Sequence, residues 1–186
     1  TILQVGFAAA MRRSEIAALR SRNLSFTSQG VTIRIAKSKT DQTGRGYSIG
    51  VPFAQGPICA VKTLREWLDK LALEPDENAL IFRKIDRWGR ICPPRPYQTA
   101  SGIVVERGLW PKSIAQIIKK RCAASGYNSA EYSGHSLRAG FCTTPAKKGE
   151  AAWSIRKISR HKSDAMLERY IRDGRLYEGS PLDGMF

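Results

Sequence analysis

The chain of 186 residues is poor in histidine, with only two, and holds four scattered cysteines. Cys59, Cys92, Cys122 and Cys142 form no CxxC and fall in no Cys/His cluster. That spacing excludes a zinc ribbon or finger and a disulfide scaffold, and it leaves reduced thiols, the usual state in a cytoplasmic protein. No run reaches the roughly 18 apolar residues of a membrane span, so no membrane partner is expected. Acidic residues are also short. Sixteen Asp and Glu stand against thirty-one Lys and Arg, a formal charge of +15 and a pI near 10.1. Such an excess points to a nucleic acid, because each neutralised phosphate releases condensed counterions; a basic, well-solvated surface, or one for acidic lipids or ribosomal RNA, is the alternative.

What remains is ordinary for one globular domain with a substantial core: 42% hydrophobic and 25% charged residues. Residues 1–20 carry Val5, Ala8, Ile16 and Leu19 at helical spacing and predict one amphipathic helix without its beginning. The first residue is not methionine, and the expectation is the C-terminal piece of a longer protein, one domain over 1–186. Asn23–Thr27 reads as a connector. Val31, Ile33 and Ile35 alternate with less apolar neighbours, as do Tyr47, Ile49 and Val51. They predict a hairpin whose polar tip runs from Lys37 to Gly46. Pro57 opens a second helix striped by Ile58, Val61, Leu64, Trp67, Leu68 and Leu71, and Pro111 opens a third. Residues 83–110 read as an irregular basic excursion. Helices follow at about 136–148, 150–159 and 163–172, then a glycine-rich tail. The fold class expected is α+β, mainly helical, with a small antiparallel sheet.

Within that frame Arg12 falls on the apolar stripe, where an unpaired guanidinium is costly. It needs an anion: Glu15 three residues on, or a phosphate. His135 and Arg138 share one side of a helix whose start Ser133-Gly134 could cap, and helix N-termini favour anions. His161 lies between Arg160 and Lys162, and Tyr170 sits about two turns into the last helix, after a possible cap at Ser163. Taken singly, each has a plain structural role open to it: an internal salt bridge for Arg12, a helix C-terminal cap for His161, packing for Tyr170.

Taken together, in order and across almost the whole chain, these segments resemble the catalytic domain of the tyrosine recombinase (phage integrase) family. Met11-Arg12-Arg13-Ser14-Glu15-Ile16 is similar to its first arginine box. Ser133-Gly134-His135-Ser136-Leu137-Arg138-Ala139-Gly140-Phe141 is similar to its His-x-x-Arg box. His161 to Tyr170, inside Glu168-Arg169-Tyr170, keeps its interval before the nucleophile. The resemblance implies a DNA breaking-rejoining fold. Arg12 and Arg138 would then clamp the scissile phosphate, with His135 and His161 assisting and Tyr170 as nucleophile. It also implies a general-acid lysine on the hairpin tip, for which Lys39 fits best and its neighbour Lys37 stays open.

The activity implied is site-specific recombination through a 3′-phosphotyrosyl intermediate, with no metal or other cofactor. Double-stranded DNA and a homo-tetramer on paired sites are the implied partners. The tail over residues 173–186 would pack onto a neighbouring subunit, anchored by Leu182 and Phe186. A catalytically inactive DNA-binding relative and a type IB topoisomerase-like enzyme are the alternatives. The absent N-terminal half of the clamp and Pro145, inside a helix that it should bend, depart from the family pattern.

Overall fold

The computed structural model describes residues 1–36, 46–73, 78–161 and 163–174. The long helix expected over 1–20 is two helices. The first, α1 (Ile2–Ala8), ends where Ala10 turns left-handed with φ 46°. The N–H of Met11 donates to Gly6 O and that of Ala10 to Phe7 O, both at 2.9 Å, which is the Schellman closure of a helix. A Cβ in that conformation costs roughly 1–2 kcal/mol, and here the residue is alanine, fully buried. The chain restarts as α2 (Arg13–Ala17), with Arg12 in extended conformation as its N-cap. Arg12 therefore does not lie on a continuous apolar stripe. Val5, Ile16 and Leu19 are nonetheless all buried, as their spacing required.

Three antiparallel strands follow, β1 (Leu24–Phe26), β2 (Gly30–Ile35) and β3 (Tyr47–Pro52), in the order β1-β2-β3. The expected hairpin is β2–β3, with Val31 opposite Val51 and Ile33 opposite Ile49, all four buried on one face. The segment taken for a connector supplies the third strand, with Leu24 opposite Ile33. The hairpin tip, including Lys37 and Lys39, lies outside the described residues.

The next helix, α3 (Ala60–Leu71), starts after Cys59 rather than at Pro57, and Ile58 is 73% exposed instead of joining the stripe. Val61 and Leu64 are buried, and the Trp67 indole N–H donates to Ile81 O at 3.0 Å. The 83–110 segment is more regular than expected. A turn closed by an Ile85–Ile91 bridge is held by the Asp86 carboxylate, which accepts from the Trp88 and Arg90 backbone N–H groups. After it come β4 (Arg95–Gln98) and β5 (Val104–Arg107), an antiparallel hairpin. The Arg107 guanidinium lies 3.6 Å from the Tyr97 ring centroid and 3.9 Å from that of Trp110.

Pro111 opens α4 (Pro111–Ala124), as expected, and the helix buries Ile114 and Ile118. The last three helices are α5 (Ser136–Lys147), α6 (Ala152–Ser159) and α7 (Asp164–Gly174). Pro145 lies inside α5, downstream of Arg138. Cys142, Ala146, Ile155 and Leu167 join these three helices in a second, smaller core beside the main one. The class is α+β and mainly helical. Among the described residues, no helix is long and apolar enough to cross a membrane.

Candidate functional site

The break between α1 and α2 builds the floor of the site. It leaves the Ala10 carbonyl without a helical partner, and Arg138 Nη1 donates to it at 2.8 Å across 128 residues. Arg138 is only 3% exposed, on the first turn of α5. That turn is fixed reciprocally: the His135 N–H donates to Ser133 Oγ (3.1 Å), and the Ser133 N–H donates to Ser136 Oγ (2.8 Å). The N-cap of α5 is His135 itself, without a side-chain cap bond, so Ser133 is not the expected cap but closes the turn that leads into the helix.

Glu15 ties Arg12 to the same floor. Its buried carboxylate accepts from the Arg12 backbone N–H and from Arg12 Nη1, each at 2.8 Å. Burial would push this carboxyl up, but Arg160 and the hydrogen bonds from Arg12 outweigh burial and hold it below its ordinary value. The salt bridge weighed for Arg12 is formed, and the side chain is 17% exposed.

Sequence reading missed Arg160. It caps α6 in the left-handed region, φ 59° and ψ 38°, at a cost of roughly 1–3 kcal/mol for a residue with a Cβ. Its Nη2 donates to Glu15 Oε2 at 2.9 Å and to Ala10 O at 3.2 Å. No periodic or motif signal marks it, because its partners lie about 150 positions away. His161 follows directly, with Nδ1 2.9 Å from the Oγ of fully buried Ser159. Its ring centroid is 5.7 Å from that of half-buried Tyr170 on α7.

The electrostatics follow from this crowding. Three guanidiniums crowd around one carboxylate, which Arg12 and Arg160 bond directly. Burial, then the charges of Arg12 and Arg160, lower the Arg138 pKa to about 10. Burial, with Arg138 and Arg12, takes His161 down to about 4. His135 is lowered by partial desolvation and then by Arg138, Arg12 and Arg13. Both imidazoles are therefore neutral at pH 7, and the cluster carries about two positive charges: three arginines less Glu15. One nitrogen of Arg138 (Nη2) and one of Arg160 (Nη1) are buried with no hydrogen-bond partner among the described residues. Buried donors of that kind call for an anion.

Five of the six expected residues thus reach one basic surface from four places: Arg12 before α2, His135 and Arg138 at the start of α5, His161 after α6 and Tyr170 on α7. The sixth, Lys39, lies outside the described residues. A groove of about 1160 Å³ lined by Ile2, Trp67, Phe82 and Leu109 contains none of them. No group of three or more His, Cys, Asp or Glu that could hold a metal ion occurs among the described residues.

This arrangement is a basic surface with a tyrosine at its edge, on a fold shared with solved DNA recombinases. XerA recombinase superposes with a TM-score of 0.60 at 18% identity, over 90% of this chain and 49% of that one. XerH recombinase in its post-cleavage complex with palindromic difH DNA gives 0.66 at 16% identity, over 94% and 42%. A lambda integrase dimer bound to a COC′ core site gives 0.57 at 17% identity, over 95% and 52%. In sequence, residues 1–175 match the phage integrase family, and the chain belongs to that family. An integrase/recombinase XerD homologue from Selenomonas ruminantium is 38% identical across all 186 residues, and this chain spans half of that relative's length.

Proposed function

We propose that this chain is the catalytic domain of a site-specific DNA recombinase or integrase that cuts and rejoins DNA through Tyr170. The observation that carries the reading is the convergence of Arg12 and Arg138, tied to one floor through Glu15 and Ala10, with His161 placed between them and the Tyr170 ring. XerH recombinase and lambda integrase, similar in fold, are seen bound to DNA.

In this reading Arg12 and Arg138 hold the non-bridging oxygens of a phosphodiester, whose charge grows as the nucleophile approaches. The Tyr170 Oη attacks phosphorus and forms the 3′-phosphotyrosyl bond, while the bond to the 5′-oxygen breaks. The phenolic proton passes to neutral His135, and Lys39 donates a proton to the departing 5′-oxygen. His161, also neutral, donates from Nε2 to the phosphate when the Ser159 hydroxyl donates to Nδ1. Attack by another 5′-hydroxyl reverses the chemistry and joins a new strand. The bond energy is conserved, so no cofactor is consumed. Double-stranded DNA is the substrate and a homo-tetramer on paired sites the working assembly. Residues 175–186, outside the described residues, would carry the subunit exchange. The setting is the cytoplasm, on chromosomal or plasmid DNA.

The test uses the full-length protein with sheared, nicked DNA from cells carrying its gene. Fragments that stay attached after denaturation are recovered and sequenced, and the enriched site is rebuilt as a nicked duplex. The wild type forms a covalent adduct on that duplex, and Tyr170→Phe forms none while still binding it. An adduct with Tyr170→Phe, or none with wild type, refutes the reading.

A further inference from the structure

We propose that Arg160 is a positioning residue for strand cleavage: it locks the two phosphate-binding arginines into one frame and supplies the second excess positive charge of the pocket. This rests on the recombinase reading above and adds to it a residue that the sequence motifs do not contain.

The geometry is specific. Arg160 Nη2 reaches Glu15, which holds Arg12, and also Ala10 O, which holds Arg138. No other described side chain is bonded to both anchors. Its side chain is 8% exposed, and its Nη1 has no partner among the described residues. The backbone is strained as well, since Arg160 holds φ 59° where glycine would sit without penalty. A buried, strained, incompletely bonded arginine is a poor device for stability. It is a good one for a reaction in which charge increases. A phosphodiester enters with one negative charge and approaches two at the pentacoordinate transition state. Arg12 and Arg138 less Glu15 balance the first; Arg160 balances the second.

Two variants separate this from packing. Arg160→Gly removes the charge and relieves the backbone while Glu15 keeps its bonds to Arg12, and urea denaturation checks that the fold is retained. Arg160→Lys keeps the charge and loses the fork. The rate of adduct formation is measured at saturating nicked duplex, together with DNA affinity and the His161 titration by NMR. Arg160→Gly is expected to slow the adduct roughly 10- to 100-fold, less than the 10²–10³ typical for losing a donor that touches the oxyanion. DNA affinity is expected to stay within about threefold, because remote contacts dominate it. His161, held near 4 by burial first and then by Arg138, Arg12, His135 and Arg160, should titrate slightly higher in Arg160→Gly than in wild type. Arg160→Lys should recover several-fold of the lost rate and keep the low titration. A rate for Arg160→Gly within twofold of wild type overturns the proposal, whatever His161 does. A loss that Arg160→Lys leaves unrescued, with His161 unmoved, assigns Arg160 to packing and overturns it too. If the wild type forms no adduct, the recombinase reading fails and this proposal falls with it. If it does, the variants judge Arg160 alone.

Discussion

Replacing Glu15 by glutamine tests the floor of the site directly. The carboxylate is 5% exposed and accepts from Arg12 N–H, Arg12 Nη1 and Arg160 Nη2, all within 2.9 Å. Glutamine keeps the shape but offers one oxygen and an NH₂ group, so at least one guanidinium meets a donor instead of an acceptor. The cluster loses its only carboxylate among the described residues and rises from about two excess positive charges to three. Breaking a buried ion pair by removing one partner costs about 3–5 kcal/mol. A domain of this size has roughly 5–15 kcal/mol in total, so about a fifth or more of the stability is at stake. At 2–4 °C per kcal/mol the melting temperature should fall by about 6–20 °C.

The pH dependence supplies an internal check. The folded pKa of Glu15 lies below its ordinary value of 4.5. Its contribution is therefore complete above pH 4.5 and is lost as pH falls through the folded pKa. Urea denaturation of wild type and Glu15→Gln at pH 7 should show the full gap, and the gap should narrow only below pH 4.5. Sulfate, which can fill the vacant anion position, should stabilise the variant more than the wild type. A loss below about 1 kcal/mol at pH 7, or a gap independent of pH, would refute the argument that Glu15 holds the arginines by charge.

Two other perturbations probe how the elements hold the site. A Cβ added at Gly6 would come within 2.7 Å of Leu137 Cδ1 and 2.8 Å of Ile16 Cδ1. Gly6→Ala should therefore cost about 1–3 kcal/mol through overpacking, read by urea denaturation. It should also lower cleavage by displacing Leu137, the neighbour of Arg138; cleavage at the wild-type rate counts against α1–α5 packing as the aligning contact. His161, with a folded pKa of about 4 against an ordinary 6.5, takes up its proton late in the folded state. Its contribution to stability is complete above pH 6.5 and declines as pH falls toward 4, so His161→Asn should flatten the stability profile across that window. An unchanged profile would show that His161 is not held neutral.

Much of this was readable because the relevant signals are local. Alternation marked β2 and β3, and Pro111 marked the start of α4. The last three helices lie within a few residues of their expected ranges. Pro57 misled because Cys59, not the proline, precedes the first helical turn, leaving Ile58 in solvent. The β4–β5 hairpin escaped notice since Arg95–Gln98 is never apolar on alternate positions; what packs there instead is the Arg107 guanidinium on the Tyr97 and Trp110 rings. Candidate site residues were legible by type and spacing, but Arg160 was not, because its role depends on a carboxylate and a carbonyl on α2 and before it.

The unread break after α1 shows why pattern and chemistry can part company. Four residues, Ala9 to Arg12, separate α1 from α2, close to one helical turn. The apolar phase therefore resumes almost in register: Val5 before the break and Ile16 and Leu19 after it all reach the core. Periodicity cannot detect an interruption that preserves periodicity. Had the helix continued, the Ala10 carbonyl would have accepted the Ser14 N–H, four residues on. Arg138 and Arg160 would have lost their shared acceptor, and Arg12 would have projected from mid-helix instead of from a cap braced by Glu15. The left-handed alanine thus has its compensation in the site: it releases one carbonyl, and that oxygen aligns two guanidiniums that arrive from the far end of the chain.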